Sequence, residues 1–154
     1  MWLKHGSTSP LVAGLVVLVC VAGGCKALTG ISDTPEAAAG SFRFDGGQLV
    51  VDLGQVTALQ ATGGSVQIKT ALKDTLLVVR IGPDAFRAFA NRCSHRSREL
   101  EYDAERGELC CVSIGHSRYN LDGLVLKGPA EKPLQSFPCT RRGNELYIDV
   151  SSLL

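Results

Sequence analysis

Two short stretches of the chain each offer one thiolate and one imidazole, the side chains that bind soft and borderline transition metals. The first is Cys93-Ser94-His95, and the second runs from Cys111 to His116, with fifteen residues between His95 and Cys111. Two Cys and two His satisfy the tetrahedral preference of zinc. The same donor types also hold iron in some iron–sulfur centres. The pattern therefore predicts a metal centre whose ligands are Cys93, His95, Cys111 and His116.

The choice of ligands follows from counting the candidates. The chain has three His, and the third, His5, lies in a segment that we expect to be removed on export. Cys110 and Cys111 are adjacent, and neighbours on a strand face opposite ways. Cys111 has the shorter reach to His116, so we assign it as the ligand. For Cys110 and Cys139 two expectations stay open, namely buried small hydrophobic residues or a disulfide.

The part of the chain that carries these loops has the pattern of short β-strands. Runs rich in β-branched and aromatic residues alternate with turn signals, and the expected strands are residues 49–53, 66–68, 75–81, 86–90, 108–112 and 145–150. A hairpin turn at residues 103–107 delivers Cys111 to a loop beside the first one. We therefore predict an all-β fold, an antiparallel sandwich or barrel with both loops at one tip. Only residues 32–39 have the pattern of a brief helix.

The order of strands and loops resembles the Rieske [2Fe–2S] proteins over roughly residues 48–150, and we place the domain at 48–154. The resemblance implies that Cys93 and Cys111 hold the inner iron of a [2Fe–2S] cluster, while His95 and His116 hold the outer iron near solvent. Electrons would pass through the exposed imidazole edge. Ser117 and Tyr119 would either donate hydrogen bonds to the cluster sulfur atoms or serve as loop packing. Zinc or an empty site are the alternatives for the same residues.

The chain departs from the family pattern in both loops. Family members usually have two residues between Cys and His of the second loop, with Pro after the Cys, whereas four residues intervene here and Val112 takes the place of the Pro. In quinol-oxidising complexes an extra Cys in each loop forms a disulfide clamp, and here Arg98 stands at the corresponding place in the first loop. The chain is in this respect closer to the Rieske ferredoxins that feed oxygenases.

The N-terminal residues predict export and a lipid anchor. Leu11 to Ala22 form an apolar run of signal-peptide length, followed by Gly23-Gly24-Cys25. This resembles a bacterial lipobox, which implies cleavage after residue 24 and a lipid on Cys25. An uncleaved anchor and an ordinary secretory signal are the alternatives. Residues 25–47 have the composition of a flexible linker. Lys26 is not the Asp that commonly retains lipoproteins at the inner membrane, which favours an outer membrane where the cell has one.

Composition narrows the function. The formal net charge is +1 with no block of like charge, so we expect no nucleic-acid partner. No acid is placed to complete a Ser or Cys triad. We predict an electron carrier, or a redox component of a larger oxidoreductase, on the periplasmic or extracellular side of a membrane. Its redox partner is a protein of unknown identity. No Arg precedes Arg43, so the sequence shows no twin-arginine export signal. The cluster would then be inserted after export, or the site would be left to another metal. The alternative function is a non-redox lipoprotein with zinc or no metal that acts as a binding module.

Overall fold

Short β-strands make up the regular structure of the part of the chain described by the computed structural model, residues 31–72 and 74–154. The predicted signal peptide 1–24 and the predicted lipidation site Cys25 lie outside the described residues. Twelve strands are present in the described part, joined by turns and two single-turn 3₁₀ helices, Thr57–Leu59 and Ser151–Leu153. The strands are β1 Phe42–Asp45, β2 Gln48–Asp52, β3 Ser65–Lys69, β4 Thr75–Arg80, β5 Phe86–Ala90, β6 Leu100–Asp103, β7 Glu108–Cys111, β8 Arg118–Tyr119, β9 Val125–Lys127, β10 Ser136–Phe137, β11 Cys139–Arg142 and β12 Glu145–Asp149.

The strands form three antiparallel sheets of four strands each. The sheet orders are β1-β2-β12-β11, β10-β5-β4-β3 and β6-β7-β8-β9. The prediction of an all-β antiparallel fold is therefore confirmed. The last sheet carries the ligand loops at its ends, so we call it the site sheet.

The middle sheet, which contains β4 and β5, separates two hydrophobic cores. Leu76 and Val78 of β4 pack with side chains of the first sheet, such as Leu49 and Ile148. Their neighbours Leu77 and Val79 pack with Leu100, Leu109 and Tyr119 of the site sheet. Because successive side chains of a strand point to opposite faces, the apolar run 76–79 fills both cores at once. All four side chains are fully buried.

The hairpin that precedes the second loop is held at its turn by charge. The buried carboxylate of Asp103 accepts a hydrogen bond from the Arg106 side chain at 2.8 Å and lies 3.8 Å from the Arg118 guanidinium. Burial raises the pKa of Asp103, but the hydrogen bonds from Arg106 and the two positive charges outweigh burial and lower it. Arg118 also pairs with Glu108 at 2.6 Å. This cluster ties the strands on both sides of the second loop together.

The folded domain extends further towards the N-terminus than residue 48. Residues Phe42–Asp45, which fall in the predicted linker 25–47, form an edge strand that pairs with β2. Residues 32–39 were expected to form a brief helix, and this expectation is wrong. The Pro35 carbonyl accepts a hydrogen bond from the Gln67 amide, and the Ala37 amide donates to the Gln67 carbonyl, so the chain lies extended beside β3. Within the described residues, no helix has the length and apolar character needed to cross a membrane.

Candidate metal centre

The first loop follows β5 and closes on itself through its backbone. The Cys93 amide donates to the Arg98 carbonyl at 2.7 Å, and the Ser97 amide donates to the Cys93 carbonyl at 2.8 Å. Ser97 has a φ of +54°, which lets the chain reverse within one turn. The exit of the loop is fixed by the buried Asn91, whose Oδ1 accepts the Leu100 amide at 2.7 Å. These bonds orient Cys93 and His95 towards the same side.

The second loop joins β7 to β8. The Cys111 amide donates to the Ser117 carbonyl at 2.9 Å, so the two ends of the loop are paired as in a hairpin. At its tip, Gly115 and His116 both adopt positive φ, +106° and +43°. Val112 donates from its amide to the Glu99 carbonyl at 3.1 Å, which attaches this loop to the chain leaving the first loop. The structure thus brings both loops to one tip.

Three of the four predicted ligands meet there. The ligand atoms of Cys93, His95 and Cys111 all lie within 4.8 Å of one another. His95 Nδ1 lies 2.8 Å from Cys93 Sγ, so this ring nitrogen faces the thiolates. Both Cys are fully buried, whereas His95 is only partly buried. The arrangement offers two buried soft donors and one imidazole at the surface.

His116 lies apart from this group. Its side chain is exposed and does not join the three atoms that lie within 4.8 Å of one another. Its left-handed backbone is uncommon for a residue other than glycine, although His is among the residues that adopt it more often. Its assignment as the fourth ligand stays a prediction.

Ser113 occupies the space between the two loops. Its Oγ lies 3.1 Å from Cys111 Sγ and 3.4 Å from His95 Nε2. A single hydroxyl can donate one hydrogen bond and accept others, so it can donate to the Cys111 sulfur and accept from the His95 ring. Sequence reasoning missed this contact. The only signal for it is a hydroxyl residue two positions after a ligand Cys.

The two hydroxyl groups that were predicted near the centre, those of Tyr119 and Ser117, both lie beside it. Tyr119 is fully buried, and its OH lies 3.1 Å from Cys93 Sγ. Burial, and then the hydrogen bond to Cys93, raise the pKa of Tyr119 to about 12, so the phenol keeps the proton that it donates to sulfur. Ser94 supports this phenol, because its amide donates to the Tyr119 oxygen at 3.3 Å. The Ser94 hydroxyl in turn donates to the Lys132 carbonyl at 2.7 Å.

Ser117 lies on the other side of His95. Its buried Oγ accepts the Ala130 amide at 3.1 Å and lies 3.4 Å from His95 Nδ1. The chain at Gly128 packs directly on this residue, since a Cβ at Gly128 would stand 2.6 Å from Ser117 Cα. Only glycine fits such a close approach at a φ of +99°. Ser117 therefore lies between His95 and the segment 128–130.

The two ligand thiols share their charge. The nearby Cys111 thiol is the largest influence on Cys93 and lowers its pKa, although burial acts in the opposite direction. The hydrogen bonds from Tyr119 and His95 lower it further. The same Cys111–Cys93 interaction, together with burial, raises the pKa of Cys111. The opposite shifts show that the two sulfur atoms share one negative charge more readily than they hold two, and a bound cation would stabilise the second thiolate.

The remaining predicted cysteines lie outside the centre. Cys110 is buried in β7 and is disulfide-bonded, so of the two expectations for this residue the disulfide applies. Cys139 of β11 is a half-buried free thiol, so it is not bonded to Cys110. Burial raises the pKa of Cys139 to about 12, with Arg87 acting weakly against this. Cys139 is not part of the group formed by Cys93, His95 and Cys111.

The geometry has a counterpart among known proteins. Residues 49–138 match the family model of the Rieske [2Fe-2S] domain, which is more than half of the chain. The chain belongs to the Rieske family. No curated protein sequence matches it.

Several solved structures of Rieske and related proteins are similar to this one. The cyanobacterial plasma membrane Rieske protein PetC3 from Synechocystis PCC 6803 is 24% identical, with 55% of this chain and 84% of that chain covered and a TM-score of 0.48. The ferredoxin of carbazole 1,9a-dioxygenase from Nocardioides aromaticivorans IC177 is 25% identical, with coverages of 64% and 92% and a TM-score of 0.49. A QL mutant of NdmA from Pseudomonas putida CBB5 is 23% identical, with coverages of 62% and 31% and a TM-score of 0.47.

The donors present fit the cofactor of the Rieske family. Two buried thiolates and an imidazole within 4.8 Å are the donor types of a [2Fe–2S] cluster with mixed Cys and His ligation. The cofactor of this Rieske protein is accordingly a [2Fe–2S] cluster, and its role is electron transfer. The hydroxyl groups of Tyr119 and Ser113 each approach one ligand sulfur, which are positions from which they would influence the potential of the cluster.

Proposed function

We propose that this Rieske protein is a membrane-tethered carrier of single electrons that acts outside the cytoplasm and exchanges electrons with a redox partner protein. The observation that carries the electron-carrier part is the group of Cys93, His95 and Cys111 at one tip of the domain. His95 is the one member of that group with exposed surface. A tip with buried thiolates and a partly exposed imidazole suits outer-sphere electron exchange with a docked protein.

The residues of the chain bind and tune the cofactor. When bound, a [2Fe–2S] cluster with two imidazole ligands takes up and returns one electron at roughly −150 to +300 mV. Cys93 and Cys111 hold negative charge within the core, where the burial of both side chains excludes water. With the cluster bound, the Tyr119 hydroxyl would donate a hydrogen bond to Cys93 Sγ, and the Ser113 hydroxyl would donate one to Cys111 Sγ. Donation to sulfur stabilises the more negative, reduced state and so raises the potential.

His116 is proposed as the fourth ligand. Apart from His5 and His95 it is the only His in the sequence, and it lies in the second loop five residues after Cys111. In the described structure its ring is exposed, so ligation requires that the tip of the loop turns inwards. The positive φ values of Gly115 and His116 lie at the position where such a turn would take place.

The tether and the location rest on the N-terminal sequence. The apolar run 11–22 and the Gly23-Gly24-Cys25 sequence support cleavage before Cys25 and lipidation of its thiol. The segment that pairs with β3 includes Pro35, so nine residues separate it from Cys25. The chain from Cys25 to Pro35 spans at most about 35 Å when fully extended. The domain would therefore work close to the membrane surface.

The cofactor is tested by purifying the full protein without oxygen and measuring iron, acid-labile sulfide and the electron paramagnetic resonance spectrum after reduction. We expect equal amounts of iron and sulfide and a Rieske-type signal. A colourless protein that contains zinc, or no metal, would contradict the carrier function and favour a non-redox binding module.

The anchor is tested separately. We expect the mature N-terminal peptide to begin at Cys25 and to carry the mass of a lipid. Cys25→Ala should move the protein from the membrane fraction to the soluble fraction while leaving its spectrum unchanged. An unmodified Cys25 in the wild-type protein would refute the lipid anchor without affecting the electron-carrier proposal.

A further inference from the structure

The surface around His95 is basic. The first loop contains Arg96 and Arg98, both exposed, and no acidic residue lies between Cys93 and Arg98. Within residues 31–72 and 74–154, neither guanidinium forms an ion pair or a side-chain hydrogen bond. By contrast Arg92, just before the loop, is neutralised by Asp74 at 3.3 Å. The two free positive charges therefore belong to the loop that holds the partly exposed ligand.

The neighbouring segments add one more positive charge and one apolar side chain. Lys132 is exposed and lies beside the first loop, because its backbone carbonyl accepts a hydrogen bond from the Ser94 hydroxyl. Glu131 is the one acidic side chain in residues 93–98, 112–117 and 128–133, and Glu99, which follows Arg98, is half-buried and interacts electrostatically with Lys69. At the tip of the second loop, Ile114 is 91% exposed. An apolar centre with a charged rim is the usual composition of a protein interface.

We infer that this face, formed by Arg96, Arg98, Lys132 and Ile114 around His95, is the docking surface for a redox partner whose own electron-exchange site is ringed by acidic residues. This inference rests on the proposed electron-carrier function and specifies the partner. The chain's formal net charge of +1 is too small to steer an encounter, so the local placement of charge must do it.

The position of His95 fixes which face the partner must cover. Cys93 and Cys111 are fully buried, so a partner that approaches any other side would be separated from the centre by the hydrophobic core. The charges that lie beside His95 therefore determine which partners approach closely enough to exchange an electron. Opposite charge accelerates such encounters, whereas like charge suppresses the wrong partners.

The sign of this local field can be measured without knowing the partner. The reduced full protein is mixed in a stopped-flow instrument with hexacyanoferrate(III), an anion, or with tris(phenanthroline)cobalt(III), a cation. Each oxidant takes one electron from the reduced protein. We expect the rate with the anion to fall as salt is added and the rate with the cation to rise, since salt screens both interactions. The opposite salt dependence would overturn the inference.

Charge reversal separates local from overall charge. In the double variant Arg96→Glu and Arg98→Glu, the rate with the anion should fall about tenfold or more at low salt, and the salt dependence should change sign. The matched control is Arg43→Glu with Arg142→Glu, which changes net charge equally on the first sheet. Equal effects of the two double variants would refute the docking surface. The double variant Arg96→Lys and Arg98→Lys keeps both positive charges and should retain the wild-type kinetics.

The protein–protein contact is tested with a reduced plant-type ferredoxin of acidic surface as the probe donor. One electron passes from the ferredoxin to the oxidised protein, and the second-order rate is expected to fall about tenfold in the glutamate variant. Ile114→Ala should reduce this rate but not the rate with small ions. Unchanged rates with ferredoxin would contradict the surface, whereas a missing Rieske spectrum before mixing would instead contradict the proposed function.

Discussion

The two loops of the centre contribute equal numbers of predicted ligands, but only one of them is shaped to deliver both. The first loop is closed by backbone hydrogen bonds from Cys93 and Ser97, and both of its ligands face the centre. The second loop is paired only at its ends, and its tip carries an exposed His116. In the short first loop, the backbone hydrogen bonds fix the direction of His95, which lies two residues after Cys93. In the longer second loop, the direction of His116 depends on the conformation of the loop tip.

Substitutions in the first loop should have the largest effect on the spectra of the centre. Cys93→Ala or His95→Ala should remove the visible and paramagnetic spectra completely, because each takes away a donor that the structure already places in the group. Iron and sulfide content of the purified protein measures the loss. Cys139→Ala is the matched control, since that half-buried thiol lies outside the centre and its removal should leave the spectra intact.

His116 should give a smaller and more informative change. In His116→Asn, whose side chain tolerates the positive φ at this position, we expect cluster loss to a chelator to become faster and one nitrogen coupling to disappear from the pulsed paramagnetic resonance spectrum. The residual cluster would be held by Cys93, Cys111 and His95. Two nitrogen couplings in the variant, as in the wild-type protein, would show that His116 is not a ligand.

A subtler comparison concerns the hydroxyl groups beside each ligand sulfur. Tyr119→Phe and Ser113→Ala each remove one donor, so both should shift the midpoint potential to more negative values while the cluster is retained. Redox titration followed by absorbance measures the shift. We expect the larger shift for Tyr119, which is fully buried, than for Ser113, which is only partly buried. Ser113→Thr keeps the hydroxyl and should keep the potential, and an unchanged potential in both removal variants would refute these roles.

The smallest effect concerns the support of the second loop. The pKa of Asp103 is lowered in the folded state, so its carboxylate stabilises the fold above its unfolded pKa and loses this contribution as the pH falls through its folded pKa. Asp103→Asn should therefore lower the free energy of unfolding by about 2 kcal/mol at pH 7. The difference between variant and wild type should shrink towards pH 3, as measured by urea unfolding. A difference that does not depend on pH would contradict the ionic origin.

The all-β fold could be predicted from the sequence, and so could the three residues Cys93, His95 and Cys111 that the structure brings together. The expected strands agree with β2 to β5, β7 and β12 to within two residues at each end, because their apolar runs and turn residues are local signals. Cys93 and His95 were placed by their short spacing. The exposure of His116 and the contact of Ser113 with His95 could not be predicted, since both depend on how one loop packs against another. The predicted helix at residues 32–39 was wrong for a similar reason, because pairing with β3 outweighs a weak local helix preference.

The two faces of β4 bear on where this family tolerates changes in chain length. A residue added or lost within β4 would exchange the sides of Leu76 to Val79, so both cores would receive the wrong side chains together. The loop between β7 and β8 lies outside the paired residues, so residues added at its tip leave the pairing of Leu109 with Tyr119 in place. The metal-binding loop can therefore be lengthened by insertion, whereas β4 accepts only substitutions. Two of the four residues between Cys111 and His116 exceed the usual family spacing, and they are an insertion of this kind.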